Sequence, residues 1–208
     1  MLLFPDHPLE SMREVLFLRK TNEHIAIWEG HKYTKPEATE TSGINSVYWL
    51  EDFDSVFKSL MNRCSAVYVN TNENDRAITE VETRDRRFAA VLRKEYVGHE
   101  ILRSAPILRD LRAIKNDHEI AVMQEACNIT EKAFRRVMSF VKPGVSEYQV
   151  EAEVIHEFIS NRANGHAYTP IIASGKNACC LHYIENNDEC KEGDLLLMDF
   201  GSEYGNYA

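Results

Sequence analysis

Residues 171–208 read IIASGKNACCLHYIENNDECKEGDLLLMDFGSEYGNYA, and the fold expected for the second half of the chain follows from this stretch. It contains two short apolar runs, Ala178–Leu181 and Leu195–Met198, with polar turn-forming residues between them. The first run is followed directly by His182 and the second by Asp199. If the two runs pair as antiparallel strands, one small sheet presents an imidazole and a carboxylate together.

Asp199 is the residue that most needs an explanation. A carboxylate at the end of a buried apolar strand costs free energy unless it is hydrogen-bonded, paired or bound to a metal. An Asp in this position is also a common turn-former, because its side chain accepts hydrogen bonds from nearby backbone amides. Likewise, a lone histidine after a strand, such as His182, is more often structural than functional. The spacing alone leaves both interpretations open.

The motifs around these two residues make the pattern more specific. They are Ser174-Gly175-Lys176-Asn177, Leu181-His182-Tyr183, the segment 193–201 (GDLLLMDFG) and the segment 204–208 (YGNYA). In this order and register they resemble the first half of the catalytic domain of the Xaa-Pro aminopeptidases (aminopeptidase P). These enzymes are pita-bread metallopeptidases, with prolidase and methionine aminopeptidase as relatives.

The resemblance implies a site with two divalent metal ions, most commonly Mn²⁺, held by two Asp, one His and two Glu side chains. Asp199 corresponds to the first metal ligand, and His182 to the catalytic histidine that contacts substrate near the scissile bond. Tyr168 corresponds to a tyrosine near the metals and is a candidate for substrate binding. The other ligands are expected beyond Ala208, so the resemblance implies a sequence truncated at its C-terminus. The abrupt, strand-like start at Met1–Phe4 suggests a truncated N-terminus as well.

The first half of the chain predicts a different kind of domain. A strand at Val47–Leu50, an amphipathic helix at Asp52–Arg63 and a strand at Ala66–Val69 alternate as in α/β domains. We therefore expect a partial α/β domain over residues 1–110, similar to the creatinase and aminopeptidase P N-terminal domain. The first half of an α+β pita-bread domain is expected to follow over residues 111–208.

Further elements are predicted in this first half. They are strands at Met1–Phe4, Glu14–Leu18 and Ile25–Trp28, a short helix from Pro36, a polar loop at Thr71–Asp75 and a helix at Arg84–Tyr96. 

Two helices are predicted to precede the motif-rich stretch. Asn116 with Glu119, and Ser146 with Gln149, have the spacing of capping boxes that begin helices. Apolar residues at helical spacing predict the buried face of each helix. For the first helix they are Ile120, Met123, Cys127, Phe134, Val137, Met138 and Val141, and for the second Val150, Val154, Ile155 and Phe158.

Composition excludes several classes of function. The net charge is −9 and the isoelectric point about 5.4, which argues against nucleic acid and anionic membranes as partners. No apolar stretch approaches the roughly 20 residues of a membrane span, and the first residues lack the pattern of a signal peptide. Five cysteines without a C-x-x-C pair suggest reduced thiols in a cytoplasmic protein.

The resemblance predicts an enzyme that releases the N-terminal residue from peptides with proline at the second position, using a water activated by two metals. One alternative is an Xaa-Pro dipeptidase (prolidase), and another is a non-catalytic pita-bread module that binds peptides or a protein. Because Asp199 is a single ligand, the 208-residue chain by itself is expected to be inactive. The full-length relative is expected to be a homo-oligomer.

Overall fold

The computed structural model describes residues 1–73 and 80–208, which form two compact units, Met1–Leu108 and Arg109–Ala208. Part of the predicted polar loop, Asn74 and Asp75, lies outside the described residues. We retain the boundary after residue 110 as a proposed domain limit.

The first unit contains two small sheets among its described residues. One has β1 (Leu2–Leu3), β2 (Glu14–Leu18) and β3 (Ser46–Trp49), with β1 antiparallel and β3 parallel to β2. The other pairs β4 (Ala66–Val69) with β5 (Glu100–Arg103) in parallel. Parallel strands need a long crossover connection, usually a helix, and helices do lie between these strands in sequence. The predicted strand at Glu14–Leu18 is confirmed, and β5 was missed.

The predicted strand at Ile25–Trp28 is wrong, because these residues lie in helix α1 (Glu23–Glu29). The Asn22 side chain caps this helix by accepting a hydrogen bond of 2.9 Å from the backbone N–H of Ile25. Gly30, at φ +73°, follows its last residue. The cap and the glycine therefore outweigh the strand preference of a short β-branched and aromatic run.

The helices that were predicted for the first unit are present. They are α2 (Lys35–Ser42), α3 (Phe53–Met61) and α4 (Arg84–Glu95). The core of this unit is formed by Phe57, Met61, Val69, Ala89 and Leu92. This core packs helices α3 and α4 against the sheet of β4 and β5, as expected for an α/β unit.

The second unit is built on two long helices, α6 (Asp117–Phe140) and α7 (Glu147–Ser160), and the shorter α5 (Ala105–Ala113) before them spans the boundary after Leu108. Both predicted start signals are confirmed. Asn116 accepts from the N–H of Glu119 at 3.0 Å, and Gln149 accepts from the N–H of Ser146 at 2.9 Å. None of the described helices is long and apolar enough to cross a bilayer.

The predicted buried face of α6 is partly wrong. Cys127 and Met138 are exposed, the latter by 67%, and Ile120 is 53% exposed. The buried stripe instead consists of Ala126, Ile129, Ala133 and Val137. The small alanines let α6 and α7 approach closely. The predicted face is rotated because it was built from larger apolar residues and left the alanines out. In α7 the prediction holds for Val150, Val154 and Phe158, which are fully buried, whereas Ile155 is 41% exposed.

Four short strands follow the helices as two antiparallel pairs. β6 (Gly165–His166) pairs with β9 (Ser202–Glu203), and β7 (Ile171–Ser174) pairs with β8 (Leu196–Asp199). In sequence, β7 and β8 both lie between β6 and β9, so the second pair is nested within the first.

The predicted strand at Ala178–Leu181 is wrong. Residues Gly175–Cys179 form a 3₁₀ helix, and the strand partner of β8 is Ile171–Ser174, which is buried at all four positions. Gly175 ends the strand because its φ of +56° suits glycine. A Cβ atom there would also meet the Asp194 carboxylate at 3.0 Å.

Candidate active site

Asp199 is the last residue of β8 and lies opposite Ile171 in the ladder. Its side chain is exposed, so the free-energy cost of burying a carboxylate does not apply at this position. Among the described residues, the hydrogen bond that this carboxylate accepts comes from the Tyr168 hydroxyl, which donates to Oδ1 at 2.7 Å. A turn-forming Asp would accept from a nearby backbone amide instead. The geometry therefore favours a carboxylate that is oriented and open to a ligand.

Tyr168 is held beside Asp199 by the backbone of the neighbouring strands. The N–H of Ala167 donates to the carbonyl of Gly201 at 2.9 Å. A Cβ atom on Gly201 would lie 3.4 Å from the Tyr168 ring. Because Gly201 has no side chain, the ring can lie close to the backbone at this position. Burial, together with the hydrogen bond to Asp199 and its charge, raises the pKa of Tyr168 to about 12. The phenol therefore stays protonated and acts as a donor to Asp199.

His182 lies in a turn after the 3₁₀ helix, and not on the sheet as the sequence predicted. We call residues 175–188 the His182 loop. The imidazole is exposed and makes no hydrogen bond with the described part of the chain. Leu181 and Ile184 are 84% and 67% exposed, whereas Tyr183 is only 7% exposed. The structure thus brings Tyr168 and Asp199 together. It presents His182 separately, on the His182 loop, directly before the buried Tyr183.

Glu147 is a fully buried carboxylate that sequence analysis missed. Its two oxygens accept four hydrogen bonds. Oε1 accepts from the N–H of Ser174 (2.7 Å) and Nδ2 of Asn177 (3.2 Å), and Oε2 accepts from the Tyr183 hydroxyl (2.7 Å) and the N–H of Asp188 (2.9 Å). Burial acts to raise the pKa of Glu147, but these hydrogen bonds outweigh it and lower the pKa below its ordinary value. The side chain is therefore ionised inside the protein.

The sequence offers only a weak signal for this role. Glu147 directly follows the Ser146 N-cap of α7, where an acidic residue is ordinarily explained by the helix dipole. Its four donors come from 27 to 41 positions further along the chain. No local pattern links them.

A second, partly buried polar group lies one helical turn further along α7. Glu151 accepts a hydrogen bond from Nδ2 of Asn186 and lies 3.9 Å from Nε2 of His166. The His166 ring packs edge-on against Phe158, with ring centroids 5.1 Å apart. Burial raises the pKa of Glu151 and lowers the pKa of His166, which favours the uncharged form of each.

The residues that could hold a metal are limited in the described segments. Across 1–73 and 80–208, no group of three or more His, Cys, Asp and Glu side chains is arranged to hold a metal ion. Asp199 by itself fits a ligand role, because it offers exposed carboxylate oxygens with one orienting donor. Oxygens of this kind are suitable ligands for Mn²⁺, Mg²⁺ and Ca²⁺.

Comparison with known proteins agrees with this arrangement. Residues 1–68 match the family model described as the aminopeptidase P N-terminal domain, and residues 121–208 match metallopeptidase family M24. An Xaa-Pro aminopeptidase of Haemophilus influenzae is 31% identical over 196 residues, which are 94% of this chain and 43% of that protein.

Solved structures give the same result. Aminopeptidase PepP of Pseudomonas aeruginosa has a TM-score of 0.81 at 30% identity, covering 97% of this chain and 45% of the other. Zinc-substituted Escherichia coli aminopeptidase P, in complex with product, has a TM-score of 0.77 at 29% identity, covering 91% and 43%.

The chain is therefore an α/β domain followed by part of a pita-bread metallopeptidase domain, as the sequence predicted. Its two matched segments correspond, in order, to the aminopeptidase P N-terminal domain and to metallopeptidase family M24, and the solved structures that it resembles are aminopeptidases P. The chain spans less than half the length of the curated relatives that it matches.

Proposed function

We propose that this chain is part of a metal-dependent aminopeptidase that releases the N-terminal residue from peptides with proline at the second position. The observation that supports this most is the Tyr168–Asp199 pair, in which an exposed carboxylate is oriented by a protonated phenol within the M24 segment. The names of the relatives supply the substrate class.

Asp199 is the proposed ligand of one divalent ion, within a site that holds two such ions in the complete enzyme. Bound ions would supply Lewis acidity and lower the pKa of water. Mn²⁺ is our choice because carboxylate oxygens suit it, although a relative also accepts zinc. Tyr168 is proposed to fix the orientation of Asp199 through its hydrogen bond and to contact the substrate.

His182 is the proposed catalytic residue. Its exposed imidazole is free to donate a hydrogen bond to the substrate near the scissile bond as charge develops there. The exposed side chains of Leu181 and Ile184 flank it and offer apolar contact. Because the bond before proline is a tertiary amide without an N–H, recognition of this bond must depend on the shape of the pocket.

Two alternatives differ from this proposal in what they do to the peptide. A prolidase would cleave only Xaa-Pro dipeptides, and a binding module would not cleave at all. The orientation of Asp199 by Tyr168 argues against the binding module, since binding a peptide does not require a carboxylate prepared in this way.

Three properties complete the proposal. The five cysteines, all free, support a cytoplasmic location, where thiols remain reduced. A homo-oligomer is proposed for the complete enzyme. Residues 1–208 as an isolated polypeptide are expected to be inactive, because Asp199 alone cannot hold two ions.

The test is cleavage of matched peptides by the purified enzyme that contains this chain, with Mn²⁺ supplied. We expect cleavage of Xaa-Pro-Xaa tripeptides and little cleavage of Xaa-Ala-Xaa tripeptides. Cleavage of Xaa-Pro dipeptides alone would favour the prolidase. Binding of Xaa-Pro-Xaa without turnover, at any metal concentration, would favour the binding module.

A further inference from the structure

The His182 loop contains little regular structure apart from the 3₁₀ helix Gly175–Cys179. A loop of this kind does not fix an exposed side chain by secondary structure alone. Its position must come from side chains and backbone groups that contact it from elsewhere.

Glu147 supplies these contacts at both ends of the loop and near its centre. Ser174 is the last residue before the loop and Asp188 is its last residue, and both donate backbone N–H groups to this carboxylate. Tyr183, immediately after His182, donates its hydroxyl to the same group at 2.7 Å. One buried carboxylate therefore joins the start, the middle and the end of the loop.

The backbone of the same region closes the loop a second time. The N–H of Glu147 donates to the carbonyl of Asp188 at 2.9 Å, and the N–H of Cys190 donates to the carbonyl of Val145 at 2.8 Å. Glu151, one turn further along α7, accepts a hydrogen bond from Asn186. The start of α7 is thus the surface on which the loop is held.

We propose that Glu147 is a positioning residue for the reaction, which holds the His182 loop through Ser174, Tyr183 and Asp188 and so fixes the imidazole beside the substrate. This inference depends on the proposed role of His182. Glu147 itself is fully buried and does not touch the substrate.

A carboxylate is required because all four partners donate. Each oxygen of Glu147 accepts two hydrogen bonds, one of them from a backbone N–H. A glutamine has one carbonyl oxygen, so its amide group would face either the N–H of Ser174 or that of Asp188. Glu147→Gln therefore keeps the side-chain volume and loosens one end of the loop.

The central experiment is a double-mutant cycle in the metal-loaded enzyme that contains this chain. Glu147→Gln is expected to lower kcat/KM about 10- to 100-fold, mainly through kcat, because misplacement of a reacting group by about 1 Å has effects of this size. Tyr183→Phe, which removes one of the four hydrogen bonds, is expected to lower it about 3- to 10-fold. In a His182→Ala background both changes should have less than about a twofold effect, since the residue they position is gone.

A matched control is Glu153→Gln on the same helix, where the carboxylate pairs with Arg136 and not with the loop. It is expected to change kcat/KM less than about twofold. If Glu147→Gln does not fold, Tyr183→Phe still decides the outcome by the same cycle.

Hydrogen exchange gives a reading that does not depend on activity. In Glu147→Gln, the amide of Ser174 or that of Asp188, whichever faces the glutamine NH2 group, should exchange at least about tenfold faster than in the wild type, while those of α6 should not change. Unchanged exchange at both Ser174 and Asp188, or equal losses of kcat/KM with and without His182, would overturn the inference. If His182→Ala itself has no effect, the proposed catalytic role of His182 fails, and the exchange rates alone decide whether Glu147 holds the loop.

Discussion

Two carboxylates in the second unit, Glu147 and Asp199, differ in nearly every physical respect. Glu147 is fully buried and accepts four hydrogen bonds, whereas Asp199 is exposed and accepts one from Tyr168. A buried charge must satisfy its acceptor capacity within the protein, and Glu147 does so. The carboxylate whose hydrogen-bonding capacity is filled fixes structure, while the carboxylate with unused capacity is available to a ligand.

The largest expected effect is on activity. Asp199→Asn should lower metal-dependent kcat/KM about a thousandfold or more, because a ligand of the catalytic ions is worth several kcal/mol. Folding stability should change little, since the side chain is exposed. The measurement is peptide cleavage with Mn²⁺, and Glu192→Gln, also exposed and close in sequence, is the control. Full activity of Asp199→Asn would remove the main support for the metal-ligand role.

The next effect is on stability and applies to the other carboxylate. Glu147→Ala should lower the free energy of unfolding by at least about 3 kcal/mol, because four donors lose their acceptor and the buried ones remain unpaired. Glu153→Ala, which breaks a partly exposed ion pair with Arg136, should cost less than about 1 kcal/mol. Urea unfolding of the three proteins measures both values. Equal losses for the two variants would mean that burial of Glu147 has no special importance.

A smaller effect is expected from Tyr168→Phe. Removing the donor to Asp199 should weaken Mn²⁺ binding about tenfold, the lower end of what partners of metal ligands contribute. Calorimetric titration of the enzyme with Mn²⁺ measures this change. Tyr148→Phe is the control, because Tyr148 is 56% exposed and lies on α7. Unaltered Mn²⁺ affinity in Tyr168→Phe would show that the hydrogen bond does not orient the ligand.

The smallest effect is the pH dependence of the stabilisation by Glu147. Its pKa is lowered on folding, so the ionised side chain stabilises the fold above its ordinary pKa of 4.5. This contribution should be complete near neutral pH and be lost as the pH falls below 4.5 through the folded value. The test is the free energy of unfolding of the wild type and of Glu147→Gln, measured from pH 3 to 7. The difference in stability between the two proteins should shrink at the acid end. A difference that grows towards low pH would contradict the sign.

Much of the fold follows from local patterns. The starts of α6 and α7 were predicted from capping residues, Asn116 with Glu119 and Ser146 with Gln149. Errors arose where a local preference was ambiguous. The apolar run at Ile25–Trp28 became a helix, because a cap and a following glycine lie on either side of it.

The pairing of strands could not be obtained in the same way. The run Ala178–Leu181 is as apolar as Ile171–Ser174, yet only the latter pairs with β8. The choice depends on Gly175, whose positive φ turns the chain beside Asp194 after the first run. The contact between Gly175 and Asp194 joins residues that are distant in sequence, so it arises only when the chain folds.

Local motifs and periodicities in the sequence were enough to predict the resemblance to aminopeptidase P, the two kinds of domain and the candidates Tyr168, His182 and Asp199. Only the tertiary structure decided which carboxylate is buried and which is exposed. The donors to Glu147 lie at least 27 positions away in sequence and converge only on folding. Burial and hydrogen-bond saturation are properties of that convergence, so no local pattern can contain them.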